Sequence, residues 1–257
     1  MTGGPDTVLL LHAGVADRTA WQPQVEAFER AGFRVIAPDL RGFGERRLEP
    51  GVFSHLRDAE ALLDGPATVV GNSLGGRVAL ELALHRKDLV ERMMLIAPGL
   101  SDWDWSEETR AGWVAEEEAY ERGDLDAAAE ASVRLWVVGP NRPTSAVDPD
   151  VRAKAAAMVR RSYEMQAEAY EVGVREEEVL TGSLQDRLAE IRCPTLVVVG
   201  DEDVSDMQAI ARRVASSIEG ARLVTMPDTA HLPSLECPDA LNDLLLGFLA
   251  SRQNAPA

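Results

Sequence analysis

The stretch TVVGNSLGGRVALELAL, Thr68 to Leu84, changes character halfway along. Thr68, Val69 and Val70 are β-formers leading into Gly71. From Val78 onward, Val78 and Leu82 share one helical face, and Ala79 and Ala83 are small enough to pack closely beside them. Between the two patterns stands a single hydroxyl, Ser73, with Gly71, Gly75 and Gly76 around it. The spacing predicts a strand that enters a helix through a turn too tight for large neighbours.

Other apolar, β-rich runs bounded by turn residues occur at 8–12 (VLLLH), 34–39 (RVIAPD), 92–98 (RMMLIAP), 195–200 (TLVVVG) and 222–227 (RLVTMP). Runs of this kind read as strands covered on both faces. Helical patterns lie between them: Trp21, Val25 and Phe28; Leu56, Ala59 and Leu63; Met207, Ile210, Val214 and Ile218; and finally Leu241, Leu245 and Phe248. The alternation predicts an α/β fold with a doubly wound, mostly parallel sheet. It fails between about Gly99 and Arg192, where the chain is rich in Ala, Glu and Arg and reads as helical throughout. So long an interval exceeds a single crossover and reads as an inserted helical subdomain.

The chain has 257 residues, is 46% hydrophobic and 27% charged, and carries a formal net charge of −17. That charge disfavours nucleic acid, anionic membrane surfaces and strongly anionic substrates. Cys193 and Cys237 are the only cysteines and suggest neither a disulfide framework nor a metal site. No leader sequence and no apolar run long enough to span a bilayer are visible, so the expectation is a cytoplasmic protein.

Gly71-Asn72-Ser73-Leu74-Gly75 matches G-x-S-x-G, the turn that lifts a nucleophilic serine above the end of a strand. A hydroxyl needs a base, and the base needs an orienting acid. Of four histidines, His85 ends the elbow helix as a dipole partner, His55 is expected on a solvated helix face, and His12 is expected to shape the loop after the first strand. His231, in DTAHLPSLE after the last strand, lies where open α/β sheets bind ligands, and is the candidate base. Asp201, Asp203 and Asp206 follow the strand TLVVVG, and serine, aspartate, histidine is the chain order of such triads. The Leu74 amide supplies one oxyanion donor, and the loop HAGVADRTAW the second. That second donor is placed at Gly14, with Ala13 or Val15 as one-residue alternatives.

LLLHAGVADRTAW, APDLRGFGE, VVGNSLGGRVALELAL, LIAPG, PTLVVVGDED and DTAHLPSLE, in that order, resemble the successive signatures of the α/β-hydrolase fold, in its capped lipase/esterase-like branch. The resemblance covers nearly everything outside residues 100–190. The expected division is a core of residues 1–99 and 190–251, a helical cap at 100–189 and a flexible tail at 252–257. The resemblance is to this kind of capped core. It also implies Ser73 as nucleophile and His231 as base, and favours Asp203, three residues after Gly200, as the acid. An aspartate at position 73 would instead suit a dehalogenase or epoxide hydrolase. The implied activity is hydrolysis of a small neutral ester or lactone without metal or organic cofactor. The alternatives are C–C bond hydrolysis of a β-diketone-like substrate by the same triad, or a non-enzymatic ligand binder. Val15, Trp103, Trp105, Trp136 and Leu232 are the residues expected against an apolar or aromatic substrate.

Two departures stand out. Glu45 replaces the small hydroxyl residue usual after DLRGFG, with no catalytic effect expected. Members also usually begin with two further strands, whereas only MTGGPDT precedes the first strand. The run RVIAP then becomes a parallel edge, expected to be covered by a homodimer or by the N-terminal residues.

Overall fold

The computed structural model describes residues 6–170 and 173–251. The N-terminal residues 1–5 and the expected tail at 252–257 lie outside that range.

In chain order the core begins with β1 (Thr7–Leu11), α1 (Gln22–Arg30), β2 (Arg34–Ile36), β3 (Gly51–Phe53) and α2 (His55–Ala61). It continues with β4 (Ala67–Asn72), α3 (Leu74–His85) and β5 (Val90–Ile96). A long helical excursion follows: α4 (Glu107–Glu121), α5 (Leu125–Val133), a π-helical turn (Arg134–Val138) and α6 (Pro149–Tyr170). The chain returns through β6 (Val174–Glu176), α7 (Leu184–Arg187) and β7 (Thr195–Gly200). It closes with α8 (Ser205–Ser217), β8 (Arg222–Met226), α9 (Pro233–Glu236) and α10 (Pro238–Ala250).

Six strands form one sheet in the order β2-β1-β4-β5-β7-β8, and every pairing in it is parallel. Alternate side chains on each strand enter opposite cores. Leu9, Leu11, Met93, Leu95, Val197 and Val199 pack with Val78 and Leu82 of α3 and Met207, Ile210 and Val214 of α8. Val8, Leu10, Met94, Ile96, Leu196 and Val198 pack on the other face with Phe28 of α1 and Leu241, Leu245 and Phe248 of α10. These are the helical faces that the sequence periodicity picked out. Strands buried on both sides explain the uninterrupted apolar runs. As expected, β2 stands at one edge of the sheet.

After β1 the chain adds β2 on one side, then returns to place β4 on the other. The strand order therefore reverses between β1 and β4. The crevice beyond the carboxyl ends of these two strands is the natural ligand site of such a sheet.

Two expectations need correction. The interval after Gly99 is not helical throughout, because β6 pairs in parallel with β3 as a separate two-stranded sheet (Gly51↔Val174, Val52↔Arg175, Phe53↔Glu176). Three-residue strands carry too little periodicity to show in a sequence. His55 is not solvated: it is buried at the start of α2, its ring edge-on to Phe53 with centroids 5.0 Å apart. Burial lowers its pKa to about 4, so the ring stays neutral.

Candidate active site

At the elbow, Ser73 adopts φ 52 and ψ −110, a left-handed backbone that a side chain tolerates only when its surroundings enforce it. The enforcement is visible in the glycines. A Cβ on Gly71 would overlap the Gly75 carbonyl, and one on Gly75 would overlap the Leu11 carbonyl. The Ser73 amide donates to Ile96 O at 2.9 Å, while its carbonyl accepts from Gly99 and Arg77, both at 2.9 Å. Among the described residues the Ser73 hydroxyl makes no hydrogen bond of its own.

His231 lies in the loop after β8, and Asp203 in the loop after β7. His231 Nδ1 is 2.8 Å from Asp203 Oδ2, with both side chains fully buried. Asp203 Oδ1 accepts from the Val204 amide at 2.8 Å, which fixes the carboxylate from its other side. Of the three acidic candidates, Asp201 is exposed. Asp206 faces the helical excursion and accepts from Trp103 Nε1 at 3.0 Å, Ser106 Oγ at 2.6 Å and Thr109 Oγ1. Asp206 thus anchors the start of α4 to the core.

The residue next to the serine ties the His231 loop to the end of β5. Asn72 Nδ2 donates to Ile96 O at 3.0 Å and to His231 O at 3.3 Å. Sequence reasoning passed over Asn72, whose position inside G-x-S-x-G was the available signal.

On the opposite side of the crevice, His12 organises the loop after β1. Its Nε2 accepts from the Leu40 amide at 2.9 Å, which puts the proton on Nδ1, and Nδ1 donates to Ala13 O at 2.8 Å. Burial lowers its pKa, so it stays neutral and holds both bonds. In a trans peptide the N–H opposes the C=O. With Ala13 O turned toward His12, the Gly14 amide faces the other way. Gly14 also lies close to the elbow: a Cβ built on it would be 3.8 Å from Leu74 Cβ. Gly75 N donates to His12 O at 3.0 Å, docking this loop on the first turn of α3. Among the described residues the amides of Gly14, Val15 and Leu74 have no hydrogen-bond partner. These unpaired donors stand beside a helix N-terminus, which attracts negative charge.

The aromatic residues divide. Trp136, in the π-helical turn, packs against His231 with ring centroids 4.7 Å apart and planes tilted by 44°, and its carbonyl accepts from the His231 amide at 3.1 Å. Trp105 and Trp113 continue this aromatic layer, Trp105 6.4 Å and Trp113 6.5 Å from Trp136, and 5.1 Å from each other. Trp113 was missed as a site candidate. Trp103 sits apart, its indole N–H held by Asp206. Leu232 is fully buried next to His231. Val15 is partly buried and packs on apolar clusters of both the core and the excursion. Glu45 pairs with Arg18 Nη2 at 2.8 Å on the surface.

A sheet with this strand order, a strained serine turn and a buried histidine–aspartate pair at one rim defines a hydrolase fold. The profile of the alpha/beta hydrolase family matches residues 8–244, and the chain belongs to that family. It is 28% identical to a pimeloyl-[acyl-carrier protein] methyl ester esterase of Nitrosospira multiformis, over 92% of this chain and 91% of the relative. The enol-lactonase of Burkholderia xenovorans LB400 superposes with a TM-score of 0.75 at 25% identity, covering 96% of this chain and 92% of that one. A thermophilic esterase of Thermogutta terrifontis gives a TM-score of 0.76 at 28% identity, covering 97% and 91%. Among the described residues no helix is long and apolar enough to cross a membrane.

Proposed function

We propose that this hydrolase cleaves small neutral carboxylic esters or lactones through an acyl-enzyme on Ser73. The observation that carries the reading is the 2.8 Å bond between buried His231 and Asp203, at the rim where Ser73 is held in its strained turn. In the proposed reaction His231 Nε2 takes the Ser73 proton as Oγ attacks the carbonyl, and Asp203 holds the tautomer and stabilises the imidazolium. The Leu74 and Gly14 amides receive the developing oxyanion, each worth about 10²–10³ in rate. His231 then returns the proton to the leaving alcohol. A water, deprotonated by the same imidazole, releases the acid and restores Ser73.

The excursion between β5 and β7 acts as a cap over this rim. Its Trp136, Trp105 and Trp113 layer favours an apolar or aromatic acyl or alcohol group. Trp113 also lines a cleft of about 430 Å³ within the excursion, with Tyr120, Tyr163, Glu116, Glu117 and Gln166, to which neither Ser73 nor His231 contributes. The relatives named as a methyl ester esterase and an enol-lactonase agree with ester and lactone chemistry.

A fluorophosphonate probe and a chain-length series of nitrophenyl esters and lactones test the reading. The intact chain should label at Ser73 and turn over at least one member of the series. Ser73→Ala should lose labelling and at least about 10⁴-fold in rate. A folded chain that neither labels nor hydrolyses any of them would instead be a binding protein on this fold.

A further inference from the structure

Buried charge is costly unless it is paired and hydrogen-bonded, and one buried ion pair here surrounds the candidate base. Glu236, at the end of α9, is buried, with its side chain 5% exposed, and pairs at 2.6 Å with Arg142 Nη2, whose side chain is 8% exposed. The two residues come from different parts of the molecule, Glu236 from the core and Arg142 from the excursion. Every polar contact of the pair bears on the His231 loop or on the π-helical turn that covers it.

Glu236 accepts from Ala230 N at 3.0 Å through Oε2 and from Leu232 N at 3.2 Å through Oε1. Those are the amides immediately before and after His231. Arg142 meanwhile donates through Nη1 to Asp228 O at 2.6 Å, three residues upstream of His231. It also donates through Nε to Val138 O at 2.7 Å and through Nη2 to Val137 O at 2.9 Å. Val137 and Val138 belong to the same turn as Trp136, whose ring packs against His231 and whose carbonyl accepts its amide. A π-turn shifts its carbonyls out of the regular helical ladder, and here a guanidinium collects them.

We propose that Arg142 and Glu236 are a positioning pair that sets the His231 imidazole between Asp203 and Ser73, and through which the excursion governs the placement of the base. The proposal rests on the serine-hydrolase reading for its kinetic consequence but not for its geometric one. Neither residue touches the reacting atoms. Glu236 holds the Ala230 and Leu232 amides, while Arg142 holds Glu236, the Asp228 carbonyl upstream of His231 and the turn that carries Trp136. A displacement of the imidazole on the order of 1 Å can cost about 10²-fold in rate without weakening substrate binding.

The test uses the full chain and two readouts on each variant. One is the rate of fluorophosphonate inactivation per folded molecule, separated into a saturation constant and a limiting rate. The other is the low-field proton resonance of His231 Nδ1–H, assigned by its loss in His231→Gln, which requires no activity. Glu236→Gln keeps the shape and one acceptor oxygen, and Arg142→Met removes the cation while keeping much of the length. Both should retain native circular dichroism. Each should lower the limiting rate about 10- to 100-fold with the saturation constant unchanged, and should shift or broaden the resonance. Glu236→Ala, where it folds, should be worse than Glu236→Gln, because both flanking amides lose their acceptor.

Folded Glu236→Gln and Arg142→Met with an unchanged resonance and limiting rate would overturn the proposal. So would a Glu236→Gln chain that fails to fold at all, because the pair would then serve stability alone. If the intact chain does not label at Ser73, the serine reading fails, and the resonance arm still decides whether the pair positions His231.

Discussion

The loops after β1 and after β8 each place a histidine at the carboxyl end of a strand, and each histidine is 1% exposed. Their partners differ. His12 is bonded at both nitrogens to backbone groups, Leu40 N at Nε2 and Ala13 O at Nδ1. Both bonds are satisfied only by one neutral tautomer, so His12 cannot exchange a proton without breaking its loop. His231 is bonded at Nδ1 to a carboxylate, and its Nε2 has no hydrogen-bond partner among the described residues. One ring is a brace, and the other keeps one nitrogen unbonded among the described residues. Equal burial thus supports opposite roles, and the chemistry of the partners decides between them.

The contrast breaks most sharply at His231. His231→Gln should lower ester turnover by about 10⁴-fold or more while leaving the melting transition close to that of the intact chain. A variant retaining a tenth of the activity would remove the distinction between the two loops. His12→Leu should do the reverse in kind. It strands the buried Leu40 amide, costing about 1–3 kcal/mol in stability by urea titration. It also frees the Ala13–Gly14 peptide, so turnover should fall by about 10- to 100-fold with the affinity for a substrate-like inhibitor little changed. Loss of activity equal to that of His231→Gln would mean that His12 takes part in proton transfer.

A third histidine sharpens the comparison from outside the rim. His55 Nδ1 is buried with no hydrogen-bond partner among the described residues, and its pKa is lowered to about 4, chiefly by burial. The unfolded chain takes up this proton first, so stability is lost as the pH falls from about 6.5 toward 4. His55→Leu should flatten that acid limb, recovering about 2 kcal/mol at pH 5, and be nearly neutral at pH 7. Guanidinium titrations at the two pH values measure it. An unchanged pH dependence would show that the ring is protonated, or solvated, in the folded chain.

What could be read from the sequence followed the range of the interaction. The serine turn is marked by small residues within three positions of Ser73, although its hold on Leu11, Ile96 and Gly99 is not, and the strands and flanking helices declare themselves by local period. His231 and Asp203 could be proposed because few residues competed for their roles and their order along the chain was informative. His55 was misplaced because its helix shows an apolar face at Leu56 and Ala59, whereas the ring is covered by Phe53, outside that helix. The β3–β6 pairing joins three-residue segments more than a hundred positions apart, too short for a pattern and too distant for a turn. Arg142 and Glu236 were invisible for the same reason. Ninety-four positions separate them, and a charged residue carries no mark of the partner that lets it be buried.

The left-handed conformation at Ser73 has a further consequence. Glycine would adopt φ 52 without the penalty of about 1–3 kcal/mol that a side chain incurs there. The fold is therefore less stable for having a side chain at this turn, and under the proposed chemistry that cost is a trade-off in which activity opposes robustness.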